Sequence, residues 1–185
     1  MHFKKLIGNK CYLSPIDEND AEKFTEWLND LEVTQYLSQM YPRIINVQNE
    51  KGFLEKLAKE QNYSIIDIKT DELLGNCGFI QINHIHQTGE VGIFIGNKKY
   101  WNNGYGTEAL ILLLDYGFKA LNLHNISLCV VSFNSRAIRV YEKIGFKIIG
   151  KHREVILQGN KRHDRIHMDI LYNEFYEKIR KTENR

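Results

Sequence analysis

Two hydrophobic periods alternate along the chain and mark its elements. Over residues 90–95 the apolar positions alternate in a run rich in Val, Ile and Phe, which predicts a largely buried strand ended by Gly96. Past the polar turn of Trp101, Asn102, Asn103, Gly104, Tyr105 and Gly106 the period lengthens. Leu110, Leu113, Leu114, Gly117, Phe118 and Leu121 fall at i, i+3, i+4 spacing, so a helix with one inward face is predicted, opened by Thr107 and the acidic Glu108.

The same reading extends to both sides. Cys11, Tyr12 and Leu13 form a short strand, and a helix starts beyond Ser14 and Pro15 among Asp17, Glu18 and Asp20, turning Phe24, Trp27 and Leu28 inward. Residues 32–37 continue it or form a second short turn, and residues 40–45 read as irregular with Pro42 as breaker. Asn46 caps a further helix whose apolar face is Phe53, Leu54 and Leu57. Residues 63–68 and 73–84 form a hairpin that leads to the strand at 90–95. Beyond the central helix, residues 126–133 are β-rich, and Asn134 opens a helix through Arg136, Ala137, Ile138, Val140 and Tyr141 that Gly145 ends. Residues 146–158 and 162–171 flank the Gly159–Asn160 turn as a last hairpin, and the polar tail over 176–185 is expected to fray. The order β-α-α-β-β-β-α-β-α-β-β predicts an α+β class: a mixed, mostly antiparallel sheet flanked by helices, in one domain spanning all 185 residues.

Composition narrows the function classes. With 43% hydrophobic and 26% charged residues the chain suits an ordinary globular domain with its own core. A net charge of +2 gives no bulk electrostatic footprint for nucleic acid, and the basic residues at 151–165 read as the solvated face of a hairpin. Cys11, Cys77 and Cys129 are odd in number, far apart and in apolar, strand-like surroundings, so reduced and buried thiols of a cytoplasmic protein are expected. The first ten residues lack a signal peptide's apolar run, and the longest apolar run, 109–114, is far below membrane-spanning length, so neither export nor a membrane partner is expected. His163 and His167 lie roughly 13 Å apart along a strand, too far to share one metal, and none is expected.

The turn at 101–106 carries the first functional signal. A helix entered through glycines presents unpaired N–H groups and a positive dipole end, and two positions without Cβ let an anion approach that backbone closely. A P-loop would need Lys and then Ser or Thr after its last Gly, where Thr107 and Glu108 stand, and a dinucleotide fingerprint would need a third glycine near Ala109. Two glycines in a loop also suit an ordinary turn. The stretch WNNGYG resembles the pyrophosphate loop of the GNAT family of acetyl-CoA-dependent N-acetyltransferases. A second stretch, residues 130–146, joins it: an Asn that opens a helix after a strand, then Ala, Tyr and Gly-Phe, recurs in that family. Both motifs stand in the family's order and separation. The segment at 27–33, the loop and the closing hairpin resemble the ribosomal-protein and spermidine/diamine acetyltransferase branches, with Trp101 where the loop commonly begins with Gln or Arg.

This resemblance implies a GNAT fold in which the strands before and after the central helix splay apart around the pantetheine arm of acetyl-CoA. It places Ile93, Phe94 and Ile95 along that arm, and Trp101, Asn102, Asn103, Gly104, Tyr105, Gly106 and Thr107 at the pyrophosphate. Asn134 and Ala137 then belong to the cofactor contact, although Asn134 equally suits a helix N-cap. Direct transfer needs two proton movements. An alkylamine with a pKa near ~10 must lose a proton before it attacks, and a departing thiolate with a pKa near ~8.5 benefits from a donor. Tyr141 matches the family's acid and Glu90 is the candidate base, each with a bland alternative as a core phenol and a solvated strand-end carboxylate. No Cys has a His and an acid nearby in sequence, which disfavours an acyl-cysteine route. The expected acceptor is a primary amine, a small polyamine ahead of a protein α-amine and an aminoglycoside, with the acidic residues Asp17, Glu18, Asp20, Asp30 and Glu32 as candidates to meet it. The readings of other classes are a non-catalytic acyl-CoA-binding module and a nucleic-acid domain using the basic hairpin. An edge strand in that hairpin makes a homodimer a further expectation.

Overall fold

The computed structural model describes residues 2–37 and 43–183, so residues 40–42 of the irregular stretch read at 40–45, with Pro42, lie outside the described residues. The strand order is β1-β2-β3-β4-β5-β6-β8-β7, an eight-stranded sheet in a mixed α/β chain. The chain divides into two compact units, residues 1–79 with 92–113 and residues 80–91 with 114–185.

In the first unit β1 (Leu6–Ile7), β2 (Cys11–Pro15), β3 (Asn62–Asp67) and the start of β4 (Leu73–Asn83) run antiparallel. A 3-10 turn at Glu18–Asp20, capped by Asp17, leads into α1 (Ala21–Leu28), and Asp30 caps the single turn of α2 (Leu31–Thr34). Asn46 accepts from the Asn49 N–H and starts α3 (Val47–Leu57). The core of this unit gathers Tyr12, Ile16, Ala21, Phe24, Trp27, Val33, Leu54, Ile66 and Leu73, with Phe94 and Trp101 packed against it. Phe24, Trp27 and Phe94 meet edge to face, 5.6 to 6.5 Å between centroids.

One helix faces differently from its sequence pattern. Phe53 points outward and Glu50 takes the inward place, 4% exposed, one turn before Leu54. Burial pushes the Glu50 carboxyl up to about 7. Its proton is therefore bound more tightly folded than unfolded, and the associated stability is full below the unfolded carboxyl pKa and lost as pH rises through about 7. Glu50→Gln is expected to stabilise the protein at pH 8 by about 1–2 kcal/mol, a figure discounted for residual solvent contact, and to change little at pH 4. Urea melts at the two pH values check this; an equal gain at both would sink it.

In the second unit the end of β4 and the start of β5 (Thr88–Ile95) precede β6 (Asn125–Val131). β5 and β6 pair in parallel over Thr88–Asn125, Gly89–Ile126 and Glu90–Ser127; there the register ends, while β6 continues to Val131. β6 pairs with β8 (Lys161–Leu171) over seven residue pairs, and β7 (Lys147–Gln158) forms the outer strand of the closing hairpin. Ile126, Leu128 and Val130 alternate inward along β6, as do Met168 and Ile170 along β8. Of the tail read at 176–185, residues 176–183 are helical rather than frayed, and 184–185 lie outside the described residues. The helix is α6 (Tyr172–Glu183), which forms because Phe175 is buried against Phe118, ring centroids 5.4 Å apart, and the Tyr176 hydroxyl donates to Asp115 at 2.9 Å.

The central helix is α4 (Tyr105–Lys119), two residues longer at its start than the sequence pattern. Leu110, Leu113, Leu114, Gly117 and Phe118 are buried as expected, and Ala109 with them; past the end of the helix, Leu123 is buried while Leu121 is only half-buried. No helix among the described residues is long and apolar enough to cross a membrane.

Candidate active site

The first unit holds the glycine turn. β5 closes with Ile93, Phe94 and Ile95, and Asn97 caps a 3-10 turn at Lys98–Tyr100. The Trp101 indole N–H donates to the Ile95 carbonyl at 2.7 Å, so Trp101 ties the turn to the strand, and one lone pair of that carbonyl is already used. Asn102 and Gly104 then take positive φ, 61° and 85°, which aims the chain into α4. The first N–H groups of α4, at Tyr105, Gly106 and Thr107, lack carbonyl partners by helix geometry and carry its positive end. A Cβ built on Gly106 would meet Ile95 and Ile93 side chains at 3.6 and 4.0 Å, so glycine keeps the space between helix start and strand clear. Tyr105 is not free to turn toward a ligand. Its hydroxyl donates to Asp67 at 2.6 Å, and that carboxylate pushes the phenol up to about 12. Asn103 is fixed by its side-chain amide donating to the Lys99 carbonyl at 3.2 Å.

The acidic residues read as amine-facing have other work in this unit. Asp17 and Asp30 are helix caps, Asp20 accepts from His2 at 2.8 Å, Glu18 lies 3.6 Å from Lys51, and Asp30 and Glu32 both hold Lys98. Lys51 and Lys98 offset part of the charge on these helices within the unit.

The second unit holds the acid and base candidates. Asn134 Oδ1 accepts from the Ala137 N–H at 3.1 Å and starts α5 (Ser135–Ile144), which uses one lone pair of that oxygen and does not engage its Nδ2 donors. Two turns on, Tyr141 is half-buried with its ring 5.9 Å from Phe146; its carbonyl accepts from the N–H groups of Gly145 and Phe146, both at 3.0 Å. Desolvation pushes the Tyr141 phenol up to about 12, which keeps it a proton donor well into the alkaline range.

Glu90 stands opposite Ser127 in the parallel register, and the strand period puts Cys129 on the same face two residues on. Cys129 in turn opposes His167 on β8, with its Sγ 3.2 Å from Nδ1. Partial desolvation first, then the Glu90 charge, raise the Cys129 thiol, while Arg165 pulls it back. One expectation is corrected here: Cys129 is exposed while Cys11 and Cys77 are buried. No Cys has a His and an acid nearby in sequence, but the fold brings both beside this thiol. Strands β5, β6 and β8 bring together residues 39 and 38 positions apart, and only their register could have revealed the cluster.

Residues 10–147 match the acetyltransferase (GNAT) domain model. The chain belongs to the GNAT acetyltransferase family and is an N-acetyltransferase, an acyltransferase enzyme. It is 30% identical over 166 residues to the spermidine N(1)-acetyltransferase of Escherichia coli, covering 89% of this chain and 81% of that one. It is 30% identical over 153 residues to an uncharacterized N-acetyltransferase of Bacillus licheniformis, covering 80% and 85%. Among solved structures, a GNAT-family acetyltransferase from Bacillus anthracis superposes with a TM-score of 0.80 at 29% identity, over 91% of this chain and 99% of that one. Spermidine N-acetyltransferase from Vibrio cholerae in complex with CoA and spermine shares the fold at a TM-score of 0.82, 24% identity and the same coverage. The family uses acetyl-CoA, and the turn's donor set, backbone N–H groups at a helix start with Gly104 before it and Gly106 in its first turn, fits its phosphates.

Proposed function

We propose that this enzyme acetylates a small polyamine or diamine by direct transfer from acetyl-CoA, with Glu90 as base and Tyr141 as acid. The observation that carries the acceptor class is the 30% identity to a spermidine acetyltransferase over 89% of the chain. Acetyl-CoA supplies an activated thioester. Ile93, Phe94 and Ile95 line its pantetheine arm, Asn102, Asn103, Gly104, Tyr105, Gly106 and Thr107 receive its pyrophosphate, and Asn134 adds its Nδ2. An ammonium-bearing acceptor is held by the Glu90 carboxylate, which takes the amine proton so that the nitrogen lone pair can form the new C–N bond. As the C–S bond breaks, Tyr141 gives its proton to the sulfur.

The test is thiol release from acetyl-CoA with spermidine, spermine, peptides with free N-termini and aminoglycosides, in wild type and Glu90→Gln. Release with the polyamines alone is expected, with a several-fold loss in the variant at pH 7. That loss should shrink as pH approaches the amine pKa near ~10, where the acceptor arrives already neutral. Release with peptides or aminoglycosides but not polyamines would overturn the acceptor assignment, and a pH-independent loss would remove the base role.

A further inference from the structure

The turn between β1 and β2 has no role in the reading above, yet it is built onto the start of α4. Glu108, in the first turn of that helix, accepts from the backbone N–H groups of Asn9, Lys10 and Cys11 at 2.9, 2.7 and 2.9 Å. Gly8 is required by the same contact: a Cβ there would come within 2.7 Å of the Glu108 carboxylate. Burial would raise this carboxyl, but the three backbone donors outweigh it and hold it below the usual range, so it stays charged. On the other side, the Lys10 carbonyl accepts from Ile68 N–H at 2.9 Å. The backbone of Lys10 is thus held from both directions.

Its side chain crosses the glycine turn. Lys10 Nζ donates to the Asn103 carbonyl at 3.1 Å and lies 5.8 Å from the Tyr105 ring centroid, and Lys10 Cε would be 3.8 Å from a Cβ on Gly104. Among the described residues this ammonium has no carboxylate partner, unlike Lys98, Lys119, Lys147 and Lys151. A cation beside the positive end of a 15-residue helix favours anions there, and the charged Glu108 carboxylate in that first turn supplies one. Glu108 is committed to the backbone of the β1–β2 turn, and one N–H of the ammonium is used on Asn103, which leaves donors for a further acceptor.

We propose that Lys10 is a phosphate-binding residue of the acetyl-CoA site, held over the glycine turn by the Glu108 clamp. This rests on the reading that the 101–107 turn takes the cofactor's phosphates. Both the pyrophosphate and the 3′-phosphate of the cofactor offer the required chemistry. The Glu108 carboxylate is a positioning group that acts through Lys10.

The experiment is calorimetric titration of CoA and of dephospho-CoA, without acceptor or turnover, into wild type, Lys10→Met, Lys10→Arg, Glu108→Gln and the Lys10→Met/Glu108→Gln double variant. Lys10→Met is expected to weaken CoA about tenfold and Lys10→Arg much less, because one charge-assisted contact is lost or kept. An equal loss for dephospho-CoA identifies the pyrophosphate, and a loss confined to CoA identifies the 3′-phosphate. The double variant should bind no worse than Lys10→Met, since the clamp works through that side chain. Lys10→Met binding both ligands within about twofold of wild type, on the same scale, overturns the inference while leaving the cofactor reading intact. Failure of the wild-type chain to bind CoA overturns both.

Discussion

Tyr141→Phe lowers turnover at least about tenfold and leaves acetyl-CoA affinity unchanged, because the substitution removes one hydroxyl and keeps the ring that packs near Phe146. A general acid acts only as the sulfur leaves, so its loss falls on turnover and on turnover over KM together rather than on ground-state binding. Burial holds this phenol at about 12, so it remains protonated throughout the range where alkylamines become neutral. Activity that falls with pH between 8 and 10 must therefore come from another group, and the alkaline fall should persist in the variant. Steady-state rates with the best acceptor from the panel, with calorimetric binding of acetyl-CoA, decide the matter. Unchanged turnover would return Tyr141 to a packing role.

The largest structural effect is expected at Gly75. A Cβ built on it would lie 2.1 Å from the Phe94 carbonyl oxygen and 2.9 Å from Ile95 Cα, and both are main-chain atoms of the neighbouring strand. A flexible side chain could swing away, but a paired backbone cannot, so Gly75→Ala pushes β4 and β5 apart where Gly96 N–H donates to the Leu74 carbonyl at 2.8 Å. A cost of about 3 kcal/mol or more follows, at the upper end of overpacking penalties. The urea midpoint should fall by over 1 M, on an m-value of about 2 kcal/mol/M. The same displacement moves Ile93, Phe94 and Ile95, so CoA binding should weaken in whatever fraction remains folded. A midpoint within about 0.3 M of wild type would show that the strands absorb the methyl group.

Local patterns explain which parts of this chain were legible. The alternation at 90–95, the i, i+3, i+4 row of Leu110, Leu113 and Leu114, and the caps Asn46 and Asn134 each act within a few residues, so the sequence expresses them directly. Legibility failed where a distant element reversed a local preference. Phe53 has the apolar character of an inward residue, but the helix phase set by Leu54 turns Glu50 in and Phe53 out. The segment from Tyr176 is polar enough to read as a tail, yet Phe175 is buried beside Phe118 and the Tyr176 hydroxyl donates to Asp115, and together they hold a helix through Glu183. Cys129 looks like a strand-core thiol because its neighbours Leu128 and Val130 are apolar, and strand alternation puts it on the opposite face from both.

By itself, then, the sequence determined the class of the sheet, the order of its elements and the two motifs that mark an acetyltransferase, because hydrophobic period, capping and glycine turns are short-range physics. Tertiary structure alone decided which side chains share a face or a turn. Strand register placed Glu90, Cys129 and His167 together, and the carboxylate of Glu108 reached back nearly 100 residues to set Lys10 over the glycine turn. The reason is that a register or a clamp is chosen by the summed pairing of whole strands and the satisfaction of buried polar groups, and neither quantity exists until the distant segments have met.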